Sequence, residues 1–131
     1  MMNPYDIKDE TYIVDNGAGI GQYLAVVLST TVNEVTLPAG ANAGGIAGIT
    51  QESQDDNKPI RVRPISGGVS YLVVNGAGTN IAVGDPIIID GVTGRGKKGA
   101  VGVDKIIPGY YLGKALDPAT TDGKTIRVQL A

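Results

Sequence analysis

Histidine, cysteine, phenylalanine and tryptophan are all missing from this 131-residue chain. Without histidine, the side chain that most often moves protons near neutral pH is absent. Without cysteine there is no disulfide, no thiolate metal site and no thiol nucleophile. Without Phe and Trp the core must be built from Val, Ile, Leu and Ala, which bury less area per residue. Association with a partner is one way to make up that difference. No apolar run reaches membrane-spanning length, and Met1-Met2-Asn3-Pro4-Tyr5-Asp6 lacks the basic-then-apolar layout of a signal peptide. The formal charge is −2, and the densest basic cluster, Arg95-Gly96-Lys97-Lys98, is too short for a nucleic-acid footprint. No long stretch carries a helical period; residues 110–116 come nearest, and their glycine and tyrosines suit a strand as well.

What is present is glycine, 20 residues of it, set between short β-branched runs. The pattern is clearest in Asn80-Ile81-Ala82-Val83-Gly84-Asp85-Pro86-Ile87-Ile88-Ile89-Asp90-Gly91. Gly84 can take positive φ, Pro86 keeps Asp85 extended, the three isoleucines favour a pleated strand and Asp90-Gly91 turns the chain. Similar units recur throughout, so the chain reads as all-β with tight turns. The length suits one domain: an arm over 1–15 and a single β domain over 16–131. Tyr5 and Tyr12 are the anchors the polar arm offers to a partner, although Tyr12-Ile13-Val14 also suits a short first strand.

Several motifs resemble chemistry and fall short of it. Gly17-Ala18-Gly19-Ile20-Gly21 brings its third glycine one residue too early for a dinucleotide loop. Gly94-Arg95-Gly96-Lys97-Lys98 lacks the spacing of a phosphate-binding loop and reads as a mobile hairpin. Asp55 and Asp56 lack the alternation of a calcium loop. Asp85, Asp90, Asp117 and Asp122 sit at Gly- or Pro-flanked corners, where carboxylates cap turns. The expectation is a protein without catalysis, cofactor or metal. Pro59-Ile60-Arg61-Val62-Arg63-Pro64 alternates, with proline at both ends confining it to an edge or a short paired stretch. Arg61 and Arg63 are then a solvated face or a contact for an acidic partner.

The two halves, 16–66 and 67–131, echo each other. Gly21 through Val27 parallels Gly84 through Asp90, Ile46-Ala47-Gly48-Ile49 parallels Tyr111-Leu112-Gly113-Lys114-Ala115-Leu116 with a small slip in register, and Lys58-Pro59-Ile60-Arg61-Val62 parallels Lys124-Thr125-Ile126-Arg127-Val128. Two such units make a small closed or nearly closed β-structure.

Ile81-Ala82-Val83-Gly84-Asp85-Pro86, then Leu112-Gly113-Lys114-Ala115-Leu116, then Asp122-Gly123-Lys124-Thr125-Ile126-Arg127-Val128 is similar to the capsid cement, or head decoration, proteins of tailed bacteriophages. The likeness covers mainly residues 67–131. It implies a β-barrel or β-tulip on the outer surface of the virion head, bridging major capsid protein subunits as a homo-oligomer, with a trimer favoured. On that reading Tyr5, Tyr12, Arg61 and Arg63 contact the capsid. Tyr110 and Tyr111 anchor self-association or, equally, fill the barrel core. Neither nucleic acid nor membrane is an expected partner. The alternative is a small β-barrel binding module or a phage tail component without catalysis.

Overall fold

The computed structural model describes residues 9–39, 45–66, 68–99 and 111–131. Ten strands run Glu10–Val14 (β1), Ala25–Leu28 (β2), Glu34–Thr36 (β3), Ile46–Thr50 (β4), Pro59–Arg63 (β5), Val69–Asn75 (β6), Pro86–Asp90 (β7), Arg95–Lys98 (β8), Tyr111–Ala115 (β9) and Asp122–Leu130 (β10). A single 3-10 turn, Gly91–Thr93, joins β7 to β8, and the described residues contain no α-helix. The fold is all-β and built from two similar halves, each a closed five-stranded barrel.

The barrels share one topology. In the first, β1 pairs parallel with β3 and antiparallel with β5, while β2 lies antiparallel between β3 and β4, and β4 joins β5. In the second, β6, β7, β8, β9 and β10 repeat each of those pairings in turn. Even the irregularity repeats. The β2–β4 register slips between Val26 and Val27, and the β7–β9 register between Ile87 and Ile88. Beside each bulge, on the strand that carries the extra residue, stands a glycine, Gly48 or Gly113, on which a Cβ would lie 2.1 Å from the carbonyl oxygen of Arg63 or Gln129. Only a residue without a side chain allows the backbones to approach so closely.

Alternation places the cores. On β5 and β10, Ile60, Val62, Ile126, Val128 and Leu130 point inward between exposed neighbours. The first interior holds Val14, Ile20, Val26, Val35, Ile60 and Val62. The second uses larger side chains, among them Leu72, Ile81, Ile87, Ile89, Leu112 and Ile126. Parallel pairing aligns Val35 opposite Val14 with Gly96 opposite Val74. A Cβ on Gly96 would lie 2.7 Å from both Ile87 and Leu72, so the bulkier neighbours occupy the volume that Val35 fills in the first barrel.

The barrels are joined side by side. Ala25 N–H donates to Gly94 O at 2.7 Å, and Val73 N–H to Tyr23 O at 2.9 Å. The rings of Tyr23 and Tyr71 pack at a 45° tilt across the junction, 5.4 Å between centroids. Ala25 and Ile49, from the first barrel, belong to the apolar cluster of the second.

Five details settle or correct the sequence reading. Residues 10–14, within the expected arm, form β1; residues 1–8 lie outside the described residues. Residues 94–98 are no mobile hairpin: Arg95–Lys98 is β8, with Gly96 buried, because the glycine-rich stretch is what fits between the large core side chains. Within residues 110–116, Tyr111–Ala115 is a strand. β5 has no free edge, being paired with both β1 and β4, so its flanking prolines bound a short paired stretch. Finally, Gly84 does not correspond to Gly21. Gly84, at φ 91°, donates to Ala115 O, and its counterpart is Tyr23, at φ 60°, donating to Thr50 O; both bonds are 2.8 Å. The true register is two residues away from the glycine match.

Candidate interaction surface

Tyr5 and Tyr110 lie outside the described residues. Tyr111 is half-buried on β9, opposite Ile88. Tyr12 is half-buried on β1 and packs against the first core. Its hydroxyl donates to Glu10 Oε2 at 2.7 Å. That bond, then burial, then the Glu10 charge raise the phenol above its ordinary pKa. The fold thus brings Tyr12 and Arg61 to adjacent strands, Tyr12 pairing with Ile60 and Arg61 with Thr11.

The two arginines are already engaged within the chain. Arg63 Nε donates to Asp9 Oδ1 at 3.0 Å, and its Nη1 donates to Val69 O at 3.1 Å, so it ties β5 to β6. Arg61 Nε lies 3.7 Å from Glu52 Oε2 and its Nη1 4.0 Å from Asp9 Oδ2, with 57% of the side chain exposed. Arg61 N–H also donates to Glu52 Oε1 at 3.1 Å. The second barrel repeats this clasp. Asp117 Oδ2 accepts from the backbone N–H of Arg127 at 2.9 Å and from its Nε at 3.0 Å, while Oδ1 accepts from Nη2 at 2.8 Å. The Arg127 guanidinium, then its backbone N–H, hold the Asp117 carboxyl down to about 2. The repeated Lys-x-Ile-Arg-Val is therefore first of all a device that pins a preceding loop to the last strand of each barrel.

Sequence reasoning missed the aliphatic surface. The hairpin between β2 and β3 exposes Leu28 (54%) and Val32 (83%). With Tyr12, Ser29, Thr30, Thr31 and Asn33 they line a concavity of about 360 Å³. Ala25-Val26-Val27-Leu28 is apolar throughout, so no alternation marks Leu28 as the outward member. Carboxylates surround the hairpin: Glu10 holds Tyr12, Asp15 accepts from the Ser29 hydroxyl, and Glu34 opens β3. Residues 9–66 carry seven carboxylates against three basic side chains, whereas residues 68–131 carry five against seven. Two barrels of one topology thus differ in the sign of their charge. Among the described residues no group of His, Cys, Asp or Glu side chains converges as a metal site.

No protein-family model matches the chain, and no curated protein matches it in sequence. Among solved structures the fold does recur. The chain is similar to the base of a phage head fiber. The crystal structure of the head fiber gp8.5 N base of bacteriophage phi29 aligns with a TM-score of 0.63 and 15% identity, covering 94% of this chain and 92% of that one. The likeness is one of fold, and its coverage takes in both barrels and the junction between them.

Proposed function

We propose that this chain is a non-enzymatic structural protein of a bacteriophage particle, a cement or decoration protein on the outer surface of the head that bridges neighbouring major capsid protein subunits. The observation that carries this reading is the two-barrel architecture, shared over 94% of the chain with a protein named for a phage head fiber. The sequence resemblance to cement proteins points the same way. The absence of histidine and cysteine from the chain, and the turn-capping and arginine-clasping roles of its carboxylates, agree with a binding role. Ala82 N–H, for example, donates to Asp85 Oδ2 at 2.8 Å, which caps the corner before β7.

Binding only the assembled shell stabilises it by RT ln(1 + [L]/Kd), roughly 2.7 kcal/mol per site at a hundredfold excess over Kd. Many weakly bound copies then suffice. The neighbour's being a fiber base favours a second reading, in which the chain is the foot of a head-borne appendage. Adding purified chain to undecorated heads tests both. A cement protein saturates the repeated outer sites in a cryo-electron map and raises the melting temperature of the shell. A fiber base occupies its sites without that stabilisation, and failure to bind heads at all refutes both. Sedimentation of the free chain tests the proposed trimer.

A further inference from the structure

We infer that the β2–β3 hairpin of the first barrel is a docking element for a partner-protein segment offering an aliphatic side chain flanked by lysine or arginine. This rests on the proposed reading for the partner's source, but the surface is argued from the chain itself. Leu28 and Val32 are exposed beside a concavity of about 360 Å³, at the small end of those that hold ligand-sized groups. Leu28 ends a strand paired on both sides, so the anchor site is rigid before any partner arrives.

The charge around it selects the partner. Glu10, Asp15 and Glu34 are the charged groups on the elements that form the hairpin's surroundings, beside the phenol of Tyr12, while Arg61 and Arg63 lie against Glu52 and Asp9. The surface that binds is thus acidic and aliphatic, and its partner basic and aliphatic, the opposite sign from a contact through Arg61 and Arg63.

The second barrel shows that this hairpin is a docking element in the same fold. There the equivalent hairpin docks on the first barrel through Gly94, the counterpart of Asn33, where a Cβ would lie 3.1 Å from Leu37 and 3.2 Å from Leu24. The chain uses one copy of the hairpin internally and leaves the other at its surface.

The test has two arms. In the first, nuclear magnetic resonance follows the methyl groups of Leu28 and Val32 while a Lys-Leu-Lys peptide, or a Glu-Leu-Glu control, is added to the full chain. Shifts at these methyls with the basic peptide alone, fading as salt is raised, are expected. Equal response to both peptides, or no response at the hairpin, overturns the inference. In the second, Leu28→Asp with Val32→Asp is compared with Val83→Asp with Val92→Asp, exposed valines of the second barrel, for co-sedimentation with heads. All four positions are at the surface, so both variants fold, as circular dichroism checks. The hairpin pair should weaken binding about tenfold or more and the control pair should not; equal loss overturns the inference. A chain that binds the basic peptide but no heads would refute the proposed function and leave the docking element standing.

Discussion

Glycine-to-alanine substitution at three positions separates the forces that hold the second barrel closed. At Gly113 the new Cβ would lie 2.1 Å from Gln129 O and 2.9 Å from its carbonyl carbon, at φ 154°. Real Cβ contacts do not fall below 3.0 Å, so β9 and β10 would have to part by nearly 1 Å where Gly113 faces Leu130. Backbone cannot rotate out of the way as a side chain can. The expected cost is about 4 kcal/mol or more, the range of exceptional single substitutions. At Gly96 the contacts, 2.7 Å from Ile87 Cγ2 and from Leu72 Cδ2, are with side chains. Both are fully buried, so they move only by repacking, and overpacking of this kind costs roughly 1–3 kcal/mol. At Gly78 a Cβ meets nothing within 4 Å. Alanine there removes freedom from the unfolded chain and should be neutral or stabilising by up to about 1 kcal/mol. Thermal unfolding followed by circular dichroism measures the series, with each kcal/mol moving the melting temperature by roughly 3–5 °C. Equal costs at Gly113 and Gly96, or a larger cost at Gly96, would refute the assignment of the close approach to backbone.

Ile49→Ala should cost about 2–5 kcal/mol and lower the stability of both barrels together, since Ile49 sits in the second barrel's cluster; two calorimetric transitions in the wild type would contradict that. The Asp117 carboxyl, ordinary value 3.8, is held to about 2 by Arg127. Because its folded pKa is depressed, the clasp's contribution is complete above the ordinary value and lost as pH falls through about 2. The melting-temperature gap between wild type and Asp117→Asn should therefore be steady near neutrality and close at the acid end. Tyr71→Ala removes a ring that packs at a tilt on Tyr23 and is half exposed, so it should loosen the barrel junction by roughly 0.5–1.5 kcal/mol without unfolding either barrel; hydrogen exchange at the Val73 amide, bonded to Tyr23 O, reports it.

The sequence by itself determined the class of structure and the existence of a repeat. Short β-branched runs, glycine turns and the alternation of Ile60, Val62, Ile126 and Val128 are local signals, and strand geometry obeys them locally. The matches of Gly48 with Gly113 and of Arg61 with Arg127 were legible because the same residue type meets the same demand twice. The match of Gly21 with Gly84 misled, because the positive φ at this corner of the first half is taken by Tyr23. Its ring packs on Tyr71, a contact that nothing within the segment announces. Tertiary structure alone decided which of the four apolar residues of β2 faces outward, since that depends on β3 and β4 arriving on either side. It alone decided that Arg61 lies beside Glu52 and that Arg63 is bonded to Asp9, a partner distant in the chain. Charge is a property of residues, whereas availability is a property of neighbours. For that reason the surface we propose for docking, an acidic hairpin carrying Leu28 and Val32, is visible only in the fold, as are the intrachain partners of the two arginines on β5.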